Sequence, residues 1–176
     1  AELTEGGKAV WTETYDTPRS NTDEYVNSIF VTDGGDLLMT GTTTSERADP
    51  ADAWVLKVEG DGEREWSRTY GGAEYDRIHD ATVASGGGYL LAGRTASEGA
   101  GEQDGWMLKI GDDGEKVWDR TFGTDRADAF YGIHNDPDGG YLLSGTKHVL
   151  GDEGADGWLL KTDAAGKRDW ARTYGD

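Results

Sequence analysis

The 176-residue sequence has no cysteine, three prolines, and seventeen basic residues against thirty-five acidic ones. The missing cysteine excludes a disulfide framework, a thiol nucleophile and a thiolate-bound metal. The shortage of lysine and arginine leaves a formal charge of −18. That charge argues against nucleic acid or an anionic membrane as a partner, because phosphate is held through a basic surface. No apolar run approaches the roughly 18 residues of a membrane-spanning helix. Ala1 to Val10 lacks the apolar centre of a signal peptide. Glycine, by contrast, is abundant, and twenty-eight of them call for many tight turns between short strands.

Aspartate (22) outnumbers glutamate (13). Such a charge keeps a protein soluble but destabilises its compact state through self-repulsion. Salt screens the repulsion over about 8 Å at 0.15 M and about 3 Å at 1 M. The acidic, lysine-poor composition therefore predicts a halophilic microbial source, with an acidic mesophilic protein as the plainer alternative. An extracellular or cell-surface location is expected, any targeting segment having been removed; a cytoplasmic one stays open.

The chain repeats itself three times at an interval of about 52 residues. Two tryptophan series carry the register: Trp11, Trp66, Trp118, Trp170 and Trp54, Trp106, Trp158. A period of this size marks supersecondary units that cannot bury their own apolar faces alone. Residues 1–176 read as a single array, with an extra outer strand at 8–15 and blades at 16–70, 71–122 and 123–174. Each unit divides into four strand candidates separated by Gly/Asp turns, with no helical periodicity between them. In the third strand Trp106, Leu108 and Ile110 share one face and Gly105, Met107 and Lys109 the other. Both faces carry apolar groups, which suits a sheet packed on both sides. The predicted fold is all-β: a β-propeller of four-stranded blades, three per chain.

A hairpin register that pairs Trp106 with Trp118 also sets Asp104 opposite Arg120, Asp52 opposite Arg68 and Asp156 opposite Arg172. This predicts an aromatic pair beside an ion pair in every blade.

The pattern W-x-R-T-Y-G, then D-G-G-Y-L-L-x-G, then D-G-W-x-L-K resembles the tandem propeller repeats of archaeal and bacterial surface and secreted proteins. The Gly62, Gly114 and Gly166 turns, each four residues before a tryptophan, are similar to the tryptophan-docking turns of quinoprotein propellers. They are more loosely similar to the Asp-box turns of sialidase-type propellers. The resemblance implies the fold and leaves function open.

Propellers typically have four to eight blades. Three units with a fourth copy of the outer strand (Ala9 to Tyr15) leave two expectations. One is a homodimer of three plus three blades, the extra strand closing the ring across the interface. The other is a segment of a longer array.

Residues that recur in all units serve what every blade needs, so departures from the repeat are the better site candidates. Asp23, Asp76 and Asp128 begin the innermost strands, and Asp52, Asp104 and Asp156 the third ones. They could ring a hydrated cation such as Ca²⁺, which takes six to eight oxygens. Alternatively, each carboxylate caps its own turn or pairs with arginine. The segment from Asn135 to Gly139 echoes a calcium loop but lacks its first Asp and closing Glu.

His79 and Asp80 stand where the first copy has Val26 and Asn27. The third copy carries Phe130, Tyr131, His134 and Asn135 on its inner strand, and Lys147, His148, Val149 and Leu150 in an aberrant loop. His79, Asp80, Tyr131, His134, Asn135 and His148 are therefore the candidate ligand residues at the axis and loop end, against a reading of drift in a tolerant repeat. No catalytic residue stands out, and no cofactor is called for beyond a possible cation. A non-enzymatic binding or scaffold module with a protein or glycan ligand is the leading expectation. The alternative is an enzyme of sialidase or quinoprotein type. A sialidase-like site needs an arginine triad on inner strands, where only Arg77 is placed.

Overall fold

A computed structural model describes residues 2–3, 9–16, 22–45, 51–148 and 154–175, and every regular element among them is a β-strand. Val149 and Leu150 of the aberrant loop lie outside the described residues. The strands are β1 (Glu2–Leu3), β2 (Ala9–Trp11), β3 (Thr22–Val31), β4 (Leu37–Ser45), β5 (Asp52–Val58) and β6 (Arg64–Tyr70). They continue as β7 (Asp76–Val83), β8 (Tyr89–Thr95), β9 (Asp104–Ile110), β10 (Lys116–Phe122), β11 (Ala129–Asn135), β12 (Tyr141–His148), β13 (Ala155–Thr162) and β14 (Arg168–Tyr174). Three four-stranded antiparallel sheets, β3–β6, β7–β10 and β11–β14, are the three blades, each a simple meander.

Local chemistry explains why each blade turns where it does. Between the third and fourth strands, Gly62, Gly114 and Gly166 adopt φ of 94°, 78° and 76°. That left-handed region favours glycine. The preceding Asp61 and Asp113 accept the N–H of Glu63 and Glu115, each at 3.0 Å, and close the turn. The innermost strand of each blade carries a one-residue bulge, leaving Asn27, His79 and Tyr131 unpaired. Opposite each bulge stands Gly41, Gly93 or Gly145, where any Cβ would strike the carbonyl of Tyr25, Arg77 or Ala129. The repeated glycine after Y-L-L is thus required by close approach of the inner strand. The lysine of D-G-W-x-L-K ties the third strand to the turn between the first two: Lys57 pairs with Asp36 at 3.4 Å and Lys161 with Asp136 at 2.5 Å.

The hairpin register differs from the one predicted. Trp118 stands opposite Lys109, Trp106 opposite Thr121, and Arg120 opposite Met107. Trp66 and Trp170 likewise face Lys57 and Lys161. A bulge between Lys116 and Trp118 shifts the pairing and sends the two tryptophan series to opposite faces of the blade. Asp104 therefore has no Arg120 across from it. That arginine lies over the Trp118 ring, 5.1 Å from its centroid.

This arrangement builds the core between blades rather than within them. Ile78, Ala81, Leu91, Trp106, Leu108 and Ile110 pack on Leu38, Ala53, Val55 and Trp66 of the first blade. Phe130, Ile133, Tyr141, Leu143, Trp158 and Leu160 pack in the same way on Leu90, Ala92 and Met107. Each fully buried Val, Leu, Ile, Met or Phe among them contributes about 1.5–3 kcal/mol. The outer-strand tryptophans dock onto the turn of the following blade. A Cβ on Gly62 would lie 3.0 Å from the Trp11 ring, one on Gly114 3.0 Å from Trp66, and one on Gly166 2.6 Å from Trp118. Tyr15 and Tyr70 add hydroxyl bonds to the carbonyls of Gly62 and Gly114, both at 2.6 Å.

The extra strand thus seats on its own chain's first blade. The β1–β2 hairpin pairs Glu2 with Trp11 and Leu3 with Ala9, the register in which Lys57 meets Trp66 and Val58 meets Arg64. It reproduces the outer half of a blade preceding the first. Inboard of it the first blade is open: Val26 and Ile29 are 52% and 59% exposed, while their second-blade counterparts Ile78 and Ala81 are 0% and 8% exposed. At the other end Leu159 and Trp170 are 38% and 39% exposed, against 0% and 8% for Met107 and Trp66.

Candidate functional site

The recurring carboxylates at the starts of the inner strands spend their oxygens on the chain itself. Asp76, buried, accepts the N–H of Gly72 at 2.8 Å, the Ser97 hydroxyl at 2.6 Å and the Thr95 hydroxyl. Asp128 accepts the N–H of Thr124 at 2.5 Å and of His148 at 2.8 Å. Asp23 is not their counterpart. The β3–β4 register sets Glu24 opposite Thr43, as Asp76 is set opposite Thr95, and leaves Asp23 exposed. Glu24 accepts the Thr43 hydroxyl at 3.2 Å.

Asp104 accepts the N–H of Ala100 at 2.6 Å. Burial holds its carboxyl above the usual carboxylate range; the Ala100 N–H draws it back, and nearby Asp128 adds to the rise. A Cβ on Gly123 would meet both Asp104 and Asp128, so glycine makes room for the pair. Asp156 occupies the same place beside Gly175. No group of three His, Asp or Glu side chains among the described residues is arranged to hold a metal ion.

The structure brings together some of the predicted ligand residues and separates others. His79 and Tyr131 are counterparts at the two bulges, their ring centroids 5.0 Å apart. The first-blade counterpart of His79 is Asn27, and that of Asp80 is Ser28, rather than Val26 and Asn27, because the bulges recur at an interval of 52 residues. Asp80 accepts the Ile133 N–H at 3.0 Å and so links the second and third blades. Asn135 lies near the opposite end of β11, bonded to Thr82 at 3.2 Å, and His134 is exposed across from Leu142. His148 ends β12, its Nδ1 2.5 Å from the Ala127 carbonyl oxygen. It caps a loop and is remote in sequence register from His79.

Arg77, the lone inner-strand arginine of the sequence, and Arg94, which sequence reasoning does not single out, complete the cluster around His79. Arg77 and Arg94 stand directly opposite each other on β7 and β8. Their counterparts are Tyr25 and Thr42 in the first blade and Ala129 and Thr146 in the third. The departure from the repeat was visible in the sequence; the facing register was not. Arg77 donates to Asn27 Oδ1 at 2.6 Å, and Arg94 lies over Tyr75, 5.2 Å from its centroid. Burial, then Arg77 and Arg94, lowers the His79 pKa to about 4, so the ring is neutral near pH 7. Beside Arg77 a cavity of 360 Å³ is lined by Tyr25, Asn27, Thr42, Thr44 and Tyr75, among others.

No protein-family model matches the chain, and no curated protein matches it.

Proposed function

We propose that the chain is a non-enzymatic interaction module whose three blades join those of a second copy in one six-bladed ring, its loop-bearing end offered to a protein or glycan. One observation carries this reading: the two open faces are of the two kinds that already meet twice inside the chain. Val26, Ile29, Leu37 and Met39 form a face equivalent to Ile78, Ala81, Tyr89 and Leu91. Leu159, Trp170 and Tyr174 form one equivalent to Val55, Trp66 and Tyr70, which blade two covers. Two copies related by a two-fold axis present two such seams, and a ring closes only if both are made.

In that ring Trp170 and Tyr174 of one copy take the place on Gly62 that Trp11 and Tyr15 hold in the single chain. The N-terminal hairpin and the partner's β14 therefore compete for one dock. The charge of −18 fits salty surroundings outside a cell, where repulsion between copies is screened.

The seam is tested by replacing Leu159 with Asp and, separately, Trp170 with Ala, and following sedimentation in high salt. The wild-type chain should sediment as an assembly and both variants as single chains. Variants that assemble like the wild type, or a wild type that stays single at high concentration, overturn the proposal.

A further inference from the structure

Two arginines face each other across β7 and β8 in a chain with twice as many acids as bases, and neither forms a salt bridge among the described residues. Like charges directly opposite on a sheet destabilise it. The cost is compounded by three buried nitrogens that find no hydrogen-bond partner: Arg77 Nε, Arg94 Nε and His79 Nε2. Each orphaned buried polar group forfeits the hydrogen bonds it would make with water. The Arg77 bond to Asn27 and the Arg94 contact over Tyr75 leave these three nitrogens unpaired. Blades one and three do without the arginine pair, using Tyr25 with Thr42 and Ala129 with Thr146 at the same two places. A group that accepts hydrogen bonds and carries negative charge resolves all of these observations together.

We infer that Arg77, Arg94 and His79 form a binding site for an oxyanion carried by a small ligand, with the ligand's body resting in the tyrosine-lined cavity beside Arg77. The guanidinium fork suits a carboxylate or sulfate, which it meets through two parallel N–H bonds. Neutral His79 with its proton on Nε2 adds a third donor without adding to the repulsion. Tyr25, which is 55% exposed, lines the cavity and suits an apolar or sugar-ring body, and the buried Thr42 hydroxyl, which has no partner, offers a polar edge. The cavity volume of 360 Å³ fits a single acidic sugar or a comparable organic acid. The site names the ligand chemistry of the interaction module proposed above, and it does not depend on whether the ring assembles.

The test is thermal unfolding and calorimetric titration of the full chain at constant ionic strength with sodium glucuronate, glucose or sodium sulfate. The variants are Arg94→Thr and Arg77→Tyr, each installing the residue that the first blade carries at that place. Glucuronate should raise the wild-type melting temperature with dose while glucose does not, and each variant should weaken glucuronate binding about tenfold or more. Sulfate binding comparable to glucuronate assigns the site to the oxyanion alone. Preference for glucuronate assigns it to a carboxylate on a ring. Ligand-free Arg94→Thr should melt no lower than the wild type, because a like-charge contact is removed. Absence of any response to glucuronate and sulfate overturns the inference, as does a variant that melts lower yet keeps the same affinity. Sedimentation of the same variants should be unchanged, which separates failure of this site from failure of ring assembly.

Discussion

The Trp66 indole lies on Gly114 of the next blade, and its Nε1 donates to the Asp112 carbonyl at 2.9 Å. One side chain thereby couples the outer strand of one blade to the turn that shapes the following one. Trp66→Ala should destabilise the fold by about 3–5 kcal/mol. Gly114→Ala should also destabilise it, since its φ of 78° disfavours a side chain and a Cβ would press on that ring. Urea unfolding measures both, and a loss below about 1 kcal/mol for Trp66→Ala contradicts the docking role.

Asp76 caps its own turn. Asp76→Ala leaves the Gly72 N–H and the Thr95 and Ser97 hydroxyls without their acceptor. A loss of about 2–4 kcal/mol is expected, since bonds to a buried carboxylate exceed ordinary ones. Calcium titrated into the wild type should raise its melting temperature no more than magnesium at equal concentration. A calcium-specific rise that Asp76→Ala abolishes shows that the carboxylate binds the ion.

His79 makes stability depend on pH in a defined window. Its folded pKa is about 4, below the ordinary 6.5, so the unfolded chain takes up the proton first as pH falls. The contribution is complete above about pH 7 and is lost as pH falls from 6.5 towards 4. His79→Asn, the residue of the first-blade bulge, should remove this part of the dependence, on the order of 1 kcal/mol at pH 5. Urea midpoints of the two proteins at pH 7.5 and 5 give the comparison, and parallel curves refute the assignment.

The excess of acidic residues should make the fold sensitive to salt. With a formal charge of −18, dilution from molar salt to about 10 mM lengthens screening from about 3 Å to about 30 Å. The melting temperature should fall steeply across that range. A flat response means that self-repulsion is not a controlling term.

Trp11→Ala weakens the hairpin that holds the Gly62 dock. If a partner's β14 competes for that place, the variant should self-associate more tightly than the wild type in sedimentation. Looser association shows instead that the hairpin supports the seam.

Much of the blade was legible in the sequence because its determinants are local. Paired tryptophan series, Gly/Asp turns and two-sided apolar alternation are written within about 52 residues and repeated. Details set by the bulges were not. The shift between Lys116 and Trp118 moves the hairpin register, and only the paired bulges show that His79 aligns with Asn27. Residue type alone aligns Asp23 with Asp76, whereas the backbone places Glu24 there. The arginine pair is not legible in the sequence because Arg77 and Arg94 are seventeen positions apart, and only strand pairing makes them neighbours.

The most direct measurement is the mass of the wild-type chain by light scattering on a sizing column in high salt. A closed ring of three plus three blades requires a single species of twice the 19.0 kDa chain mass. A species of one chain mass at every concentration, or a mass that grows without limit, contradicts it.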